Sequence, residues 1–223
     1  MKAGRHFDGD YEEGVTLRDG TPVRLRLVRP GDKPVFLEAW QRLSPESRYR
    51  RFLSARRDLS PAELRYLTEV DGETHLAFIA LHGPPGKEKG AGVARFVRLP
   101  EPPDTAEAAV VVTDDFQGKG LATELVARLL RAALERGLRR VHCEVLAENE
   151  PVRKLIRKFA PGAVERPDGR SIVVEFDIAS PAGGDGFRRV VALAARGLLA
   201  LRRTLKEMGD RPRGGATRGN PRG

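Results

Sequence analysis

The sequence predicts an α/β domain, and three observations carry that prediction. The apolar period is that of strands in HLAFIAL (75–81), AGVARFVRL (91–99) and AEAAVVVT (106–113). It switches to helical spacing in LATELVARLLRAALERG (121–137), directly after a turn that holds two glycines. Apolar residues make up 40% of the 223 positions, enough for a core, yet no apolar run approaches the roughly 20 residues of a membrane-spanning helix.

The elements follow in order. Residues 1–14 are polar and are expected to form a flexible N-terminus. VTLRDG and TPVRLRLV alternate around Asp19-Gly20, the signal of two strands joined by a tight turn. Pro30, Gly31 and Asp32 open a helix reaching about Leu43. Ser44-Pro45-Glu46 and Ser60-Pro61-Ala62-Glu63 each place a serine cap before a first-turn proline, so each starts a further helix. The three strands named above come next, the last preceded by the loop PEPPDT, and the long helix then ends on Gly137 as its C-terminal cap. RRVHCEVL reads as a strand, ENEPVRKLIRKF as a helix, and GAVERPDGRSIVVEFDI as a hairpin about Pro167-Asp168-Gly169. Residues 179–186 form a linker, 187–207 a basic amphipathic helix, and 208–223 a low-complexity basic tail expected to be disordered.

The net charge of +9 lies almost wholly at the C-terminus. Residues 186–223 hold ten Arg and Lys against Glu207 and Asp210, which leaves +1 on everything before them. Only this tail therefore bears on contact with a membrane or with nucleic acid. The N-terminal segment has no apolar stretch of signal-peptide type, and the single cysteine, Cys143, excludes an internal disulfide, so a cytoplasmic location is expected.

The glycines in DDFQGKGLATEL (114–125) allow several readings. A Walker loop needs G-x-x-x-x-G-K-S/T, and neither the earlier glycine nor the Ser or Thr is present. A dinucleotide fingerprint needs G-x-G-x-x-G directly after a strand, whereas here Thr123 ends the pattern and Asp114 to Gln117 intervene. The third reading is Q-x-x-G-x-A, made of Gln117, Gly120 and Ala122. The free amides and dipole of the helix N-terminus bind an anion, Gly118 and Gly120 let it approach, and Lys119 adds charge at the rim. A plain glycine turn remains the alternative.

The chain resembles the GNAT superfamily of N-acetyltransferases over roughly Val15 to Ile178. The acetyl-CoA loop of that superfamily reads Q/R-x-x-G-x-G/A, and its N-x-x-A/M-x-x-L-Y-x-K/R-x-G-F element is matched by Asn149, Val152, Leu155 and Lys158. RLSPESRYRRF with LTEVD, and AEAAVVVTDDFQGKGLATEL, are similar to the bacterial branch that acetylates protein lysines, typified by enzymes acting on acyl-CoA synthetases. The resemblance implies a mixed, mostly antiparallel sheet with helices on both faces. It also implies acetyl-CoA as cosubstrate and a protein such as an acyl-CoA synthetase as acceptor. Cofactor contacts are then expected from the backbone of Val110, Val111 and Val112, from the loop and first turn Gln117, Gly118, Lys119, Gly120, Leu121, Ala122 and Thr123, and from Asn149.

The same branch places its catalytic glutamate at the position of Glu107 in A-E-F/A-A-V-V-V. A base is needed because only about one lysine amine in two thousand is neutral at pH 7. Alternation puts Glu107, Ala109 and Val111 on one face, so the carboxylate enters an apolar wall that would raise its pKa toward a useful value. A solvated glutamate at a strand edge is the competing reading. A backbone N–H near Val110 is expected to stabilise the oxyanion. The tyrosine that many members use on the leaving thiolate is replaced by Ile156, and the usual G-F pair by Ala160-Pro161. Cys143 and His142 are adjacent on a strand and so point to opposite faces, which excludes a Cys–His pair. His6, His75 and His82 have no ligand spacing among them, and the adjacent Asp114 and Asp115, which could bind a metal, are expected instead to cap or solvate the turn. Two other functions stay open: acetylation of a small amine, and a catalytically weak acyl-CoA sensor acting through its basic tail.

Overall fold

The computed structural model describes residues 5–52, 58–147 and 163–178. The expected helix around Asn149, the linker, the basic helix and the tail lie outside the described residues.

Eight strands form one sheet: β1 (Glu12–Thr16), β2 (Pro22–Leu27), β3 (His75–His82), β4 (Lys89–Arg98), β5 (Thr105–Val112), β6 (Arg140–Leu146), β7 (Val164–Asp168) and β8 (Ser171–Asp177). Their spatial order is β1-β2-β3-β4-β5-β6-β8-β7. Every pairing is antiparallel except β5 with β6. The predicted mixed, mostly antiparallel sheet is thus present.

Helices α1 (Lys33–Gln41), α2 (Pro45–Phe52), α3 (Pro61–Thr68) and α4 (Leu121–Glu135) complete the described elements. Two of the helix starts carry side-chain hydrogen bonds that fix them. Ser60 accepts from the Glu63 amide at 3.2 Å while the Glu63 carboxylate accepts from the Ser60 amide at 2.8 Å, a reciprocal cap before Pro61. Asp114, at the start of the glycine stretch, caps α2 from a distance. It accepts from the Ser44 amide at 3.0 Å and from the Ser47 hydroxyl at 2.7 Å.

Two cores lie on opposite faces of the sheet. On one, α4 buries Leu121, Leu125, Leu129 and Ala133 against Leu76, Phe78, Phe96, Ala108 and Val110. On the other, Phe36, Trp40, Leu64 and Leu67 of α1 and α3 cover Ala77, Ile79 and Leu81, with Val93 and Val111 packed against them. The period-two alternation of β3 to β5 feeds both cores, so these strands read as continuous apolar runs. Each fully buried leucine contributes on the order of 2 kcal/mol. Among the described residues no helix is long and apolar enough to cross a membrane.

Residues 5–14 correct the expectation of a flexible N-terminus. Phe7 and Tyr11 are 2% and 8% exposed and belong to the α4 core. Phe7 packs edge-to-face on Phe78, and its carbonyl accepts from Arg136 Nη2 at 2.8 Å. The strand also begins at Glu12 rather than Val15. As the sheet's first edge it can carry an exposed Glu12 and Gly14.

Candidate acyl-transfer site

The parallel ladder between β5 and β6 is registered over only three pairs, Thr105↔Arg140, Ala106↔Val141 and Glu107↔His142. Both strands continue beyond it. β5 stays paired with β4 as far as Val112↔Gly92, and β6 stays paired with β8 as far as Leu146↔Ser171. A gap therefore opens between β5 and β6 directly after Glu107.

Backbone parity decides which groups line that gap. The Thr113 amide donates to Ala91 O at 2.9 Å, and Thr105 O accepts from the Leu99 amide at 2.8 Å, so the odd residues of β5 face β4. Arg139 and Arg140 donate to Asp104 O, so the even residues face β6. Val110 and Val112 then direct their N–H and C=O groups into the gap. Val111 does not: its backbone faces β4 opposite Val93, and its side chain packs on the α1–α3 core. The expectation of a backbone contact from Val111 is corrected accordingly.

Glu107 sits at the closed end of the gap and is 5% exposed. The solvated-edge reading is therefore excluded, because β4 and β6 flank the residue on both sides. Cys143, one step along β6, is fully buried, and burial, with the Glu107 carboxylate nearby, pushes its thiol up to about 12. Such a thiol is a core filler and not a nucleophile.

The glycine stretch forms the other end. Asp114–Phe116 makes a short 3-10 turn, Gly118 and Gly120 take φ of 77° and 91°, and Gly120 is the N-cap of α4. Among the described residues, the amides of Gly118, Lys119, Gly120, Leu121 and Ala122 have no backbone acceptor. Thr123 Oγ1 is buried without a partner in the same turn. Gln117 braces the loop through Nε2, 3.0 Å from Asp114 Oδ1 and 3.4 Å from Val112 O. Lys119 bonds Asp19 at 3.0 Å and lies 5.0 Å from the Phe116 ring, and its hydrogen bond holds the Asp19 carboxyl down at about 2. Arg42 of α1 ties the opposite side, with Nη2 on Gly90 O, Thr113 Oγ1 and Asp115 Oδ1 at 2.9, 3.0 and 3.3 Å.

Arg18 joins the site unannounced by the sequence. Its amide donates to Lys119 O at 3.2 Å, and its side chain covers Gly120 so closely that a Cβ there would stand 3.2 Å from Nε. It is exposed and forms no ion pair among the described residues. Only the tertiary contact between the β1–β2 turn and the glycine loop reveals it. A ligand phosphate fits this end well: among the described residues, five amides without a backbone acceptor, a hydroxyl without a partner and a guanidinium without an ion pair surround a residue that lacks a side chain. Asn149 lies outside the described residues.

Comparison with known proteins agrees with this geometry. The acetyltransferase (GNAT) family matches residues 32–160. An acetyltransferase of Pseudomonas aeruginosa is 34% identical over 71% of this chain and 85% of its own. The acetyltransferase Pat of Mycolicibacterium smegmatis is 36% identical over 74% of this chain, which spans 48% of that longer protein. The crystal structure of the GNAT domain of S. lividans PAT superposes with a TM-score of 0.65 at 28% identity, covering 74% of this chain and 96% of that domain.

Proposed function

Because the chain belongs to the acetyltransferase (GNAT) family, we propose that it moves the acetyl group of acetyl-CoA directly onto the side-chain amine of a protein lysine. The observation that carries this reading is the buried Glu107 at the point where β5 and β6 part, on the strand that leads to the glycine N-cap of α4. The protein acceptor is supported by kinship with Pat and by the resemblance of RLSPESRYRRF and AEAAVVVT to the lysine-acetylating branch. An acyl-CoA synthetase is the first acceptor to try. The lone buried thiol of Cys143 supports a cytoplasmic site of action.

The amides of Gly118 to Ala122, with Thr123 Oγ1, Lys119 and Arg18, hold the pyrophosphate. The even backbone positions of β5 pair with the pantetheine arm as a partner strand would. Val110 N–H donates to the carbonyl oxygen as negative charge develops on it. Glu107 accepts a proton from the attacking amine as the carbon–nitrogen bond forms, and the carbon–sulfur bond then breaks with its electron pair on sulfur.

Calorimetric titration with acetyl-CoA, with NADH and ATP as controls, tests the first half. Micromolar binding of acetyl-CoA alone, abolished in Gly120→Glu, is expected. Glu107→Gln should bind acetyl-CoA as the wild type does while losing roughly 10²–10⁴ in kcat with a lysine protein acceptor at neutral pH. An unchanged rate removes Glu107 from the mechanism. A panel of small amines that outcompetes every lysine protein overturns the acceptor.

A further inference from the structure

A buried base must shed its proton after every turnover, and the register of the sheet shows a route. Val97 on β4, Glu107 on β5, His142 on β6, Glu175 on β8 and Val164 on β7 are successive partners in one transverse row. Partners in register on adjacent strands project from the same face, so Glu107, His142 and Glu175 stand side by side on the face turned away from α4. Glu107↔His142 is also the last rung before the strands part. Exposure rises along the row: Glu107 is 5% exposed, while the side chains of His142 and Glu175 are 25% and 26% exposed.

His142 Nδ1 lies 3.2 Å from Glu175 Oε1, and a carboxylate at that distance takes the N–H. Nε2 is then the accepting nitrogen, and β6 lies between β8 and β5, so Glu107 is the carboxylate on the other side. Glu175 is itself fixed, with Oε2 3.1 Å from Arg166 Nη1. The other charged groups on this face are already engaged among the described residues. Arg140 pairs with Asp177 at 3.3 Å, Glu144 accepts from the Ser171 hydroxyl, and Arg95 bonds His75 and Leu67 O.

We propose that His142, oriented by Glu175, is the proton carrier between Glu107 and solvent. The inference rests on the reading of Glu107 as base. An ammonium and a thioester yield an amide, a thiol and one proton. Two protons leave the nitrogen: one ends on the thiolate sulfur, and the other passes from the Glu107 carboxyl to His142 Nε2 and on to water. His142 works through Glu107 and touches no reacting atom. Imidazole suits the task because it both takes and gives a proton near neutral pH.

Imidazole nitrogen NMR of the full chain at a fixed pH follows its four histidines, with His142→Gln identifying the resonances. Glu175→Gln should change the His142 Nδ1 signal and Glu107→Gln its Nε2 signal, since each alters the hydrogen-bond partner of that nitrogen. An Nε2 signal unmoved by Glu107→Gln overturns the relay, whatever the enzyme turns over. In kinetics, His142→Gln should lower kcat roughly tenfold, less than the loss of a directly acting base, with KM for acetyl-CoA unchanged and the pH–rate profile altered. His142→Ala should recover with added imidazole, a rescue that a purely structural role cannot give. A profile parallel to the wild type without rescue also overturns it. Absence of wild-type turnover with every amine sinks the underlying acetyl-transfer reading instead, and the NMR coupling still decides the pairing of the two groups.

Discussion

Arg95 shows what a single residue costs in this fold. It is 1% exposed, with Nη1 3.0 Å from His75 Nε2 and Nη2 3.0 Å from Leu67 O. A guanidinium only donates, so His75 must accept and stay neutral. Burial first, and the Arg95 charge second, push the His75 imidazole down to about 3 from its usual 6.5. The unfolded chain then binds a proton there that the folded chain does not, so stability is present above about pH 6.5 and is lost as pH falls toward 3. Between pH 7 and 5 the loss should reach about 2 kcal/mol. Urea denaturation at both pH values should show it, and His75→Gln should remove most of the difference. An equal loss in the variant would show that another group is responsible. Glu107 is singled out by the family resemblance, while its strand period alone leaves a solvated edge open and its burial comes only from the fold. Arg18 is not singled out in sequence, since its meaning comes from contact between segments a hundred residues apart.

At the scale of elements, the glycine loop separates two effects that glycine can have. Gly118 and Gly120 both sit at positive φ, but a Cβ at 118 meets open space whereas one at 120 meets Arg18. Each alanine substitution should therefore destabilise by about 1–2 kcal/mol from backbone strain alone. Gly120→Ala should also displace Arg18 and weaken acetyl-CoA binding further than Gly118→Ala does. Paired denaturation and calorimetry on the two variants would read both quantities. Equal loss of affinity would deny Arg18 its place beside the phosphate. Element types and order follow from period and caps, as Ser60-Glu63 illustrates. The sequence pattern places the start of β1 at Val15 rather than Glu12 because a strand with one free edge tolerates the charged, glycine-containing EEG.

Across the whole molecule, the N-terminal segment closes the α4 core. Phe7 N–H donates to Glu135 Oε2 at 3.2 Å, and Arg136 reaches both Phe7 O and Gly72 O. Tyr11, Glu13, Arg128 and Glu124 then link β1 to α4, with Arg128 2.7 Å from Glu13 Oε1 and 2.8 Å from Glu124 Oε2. Phe7→Ala should cost about 3–5 kcal/mol by denaturation, as for a buried aromatic. A loss under 1 kcal/mol would mark the segment as an accessory. The amino-acid sequence by itself determined the alternation of strands and helices, the glycine N-cap and the glutamate before it, because capping, periodicity and positive φ are local. The rung at which β5 parts from β6, the approach of Arg18 to Gly120 and the row Glu107–His142–Glu175 were decided by tertiary structure alone. Strand register couples residues through space, and no local preference encodes which distant strand lies alongside.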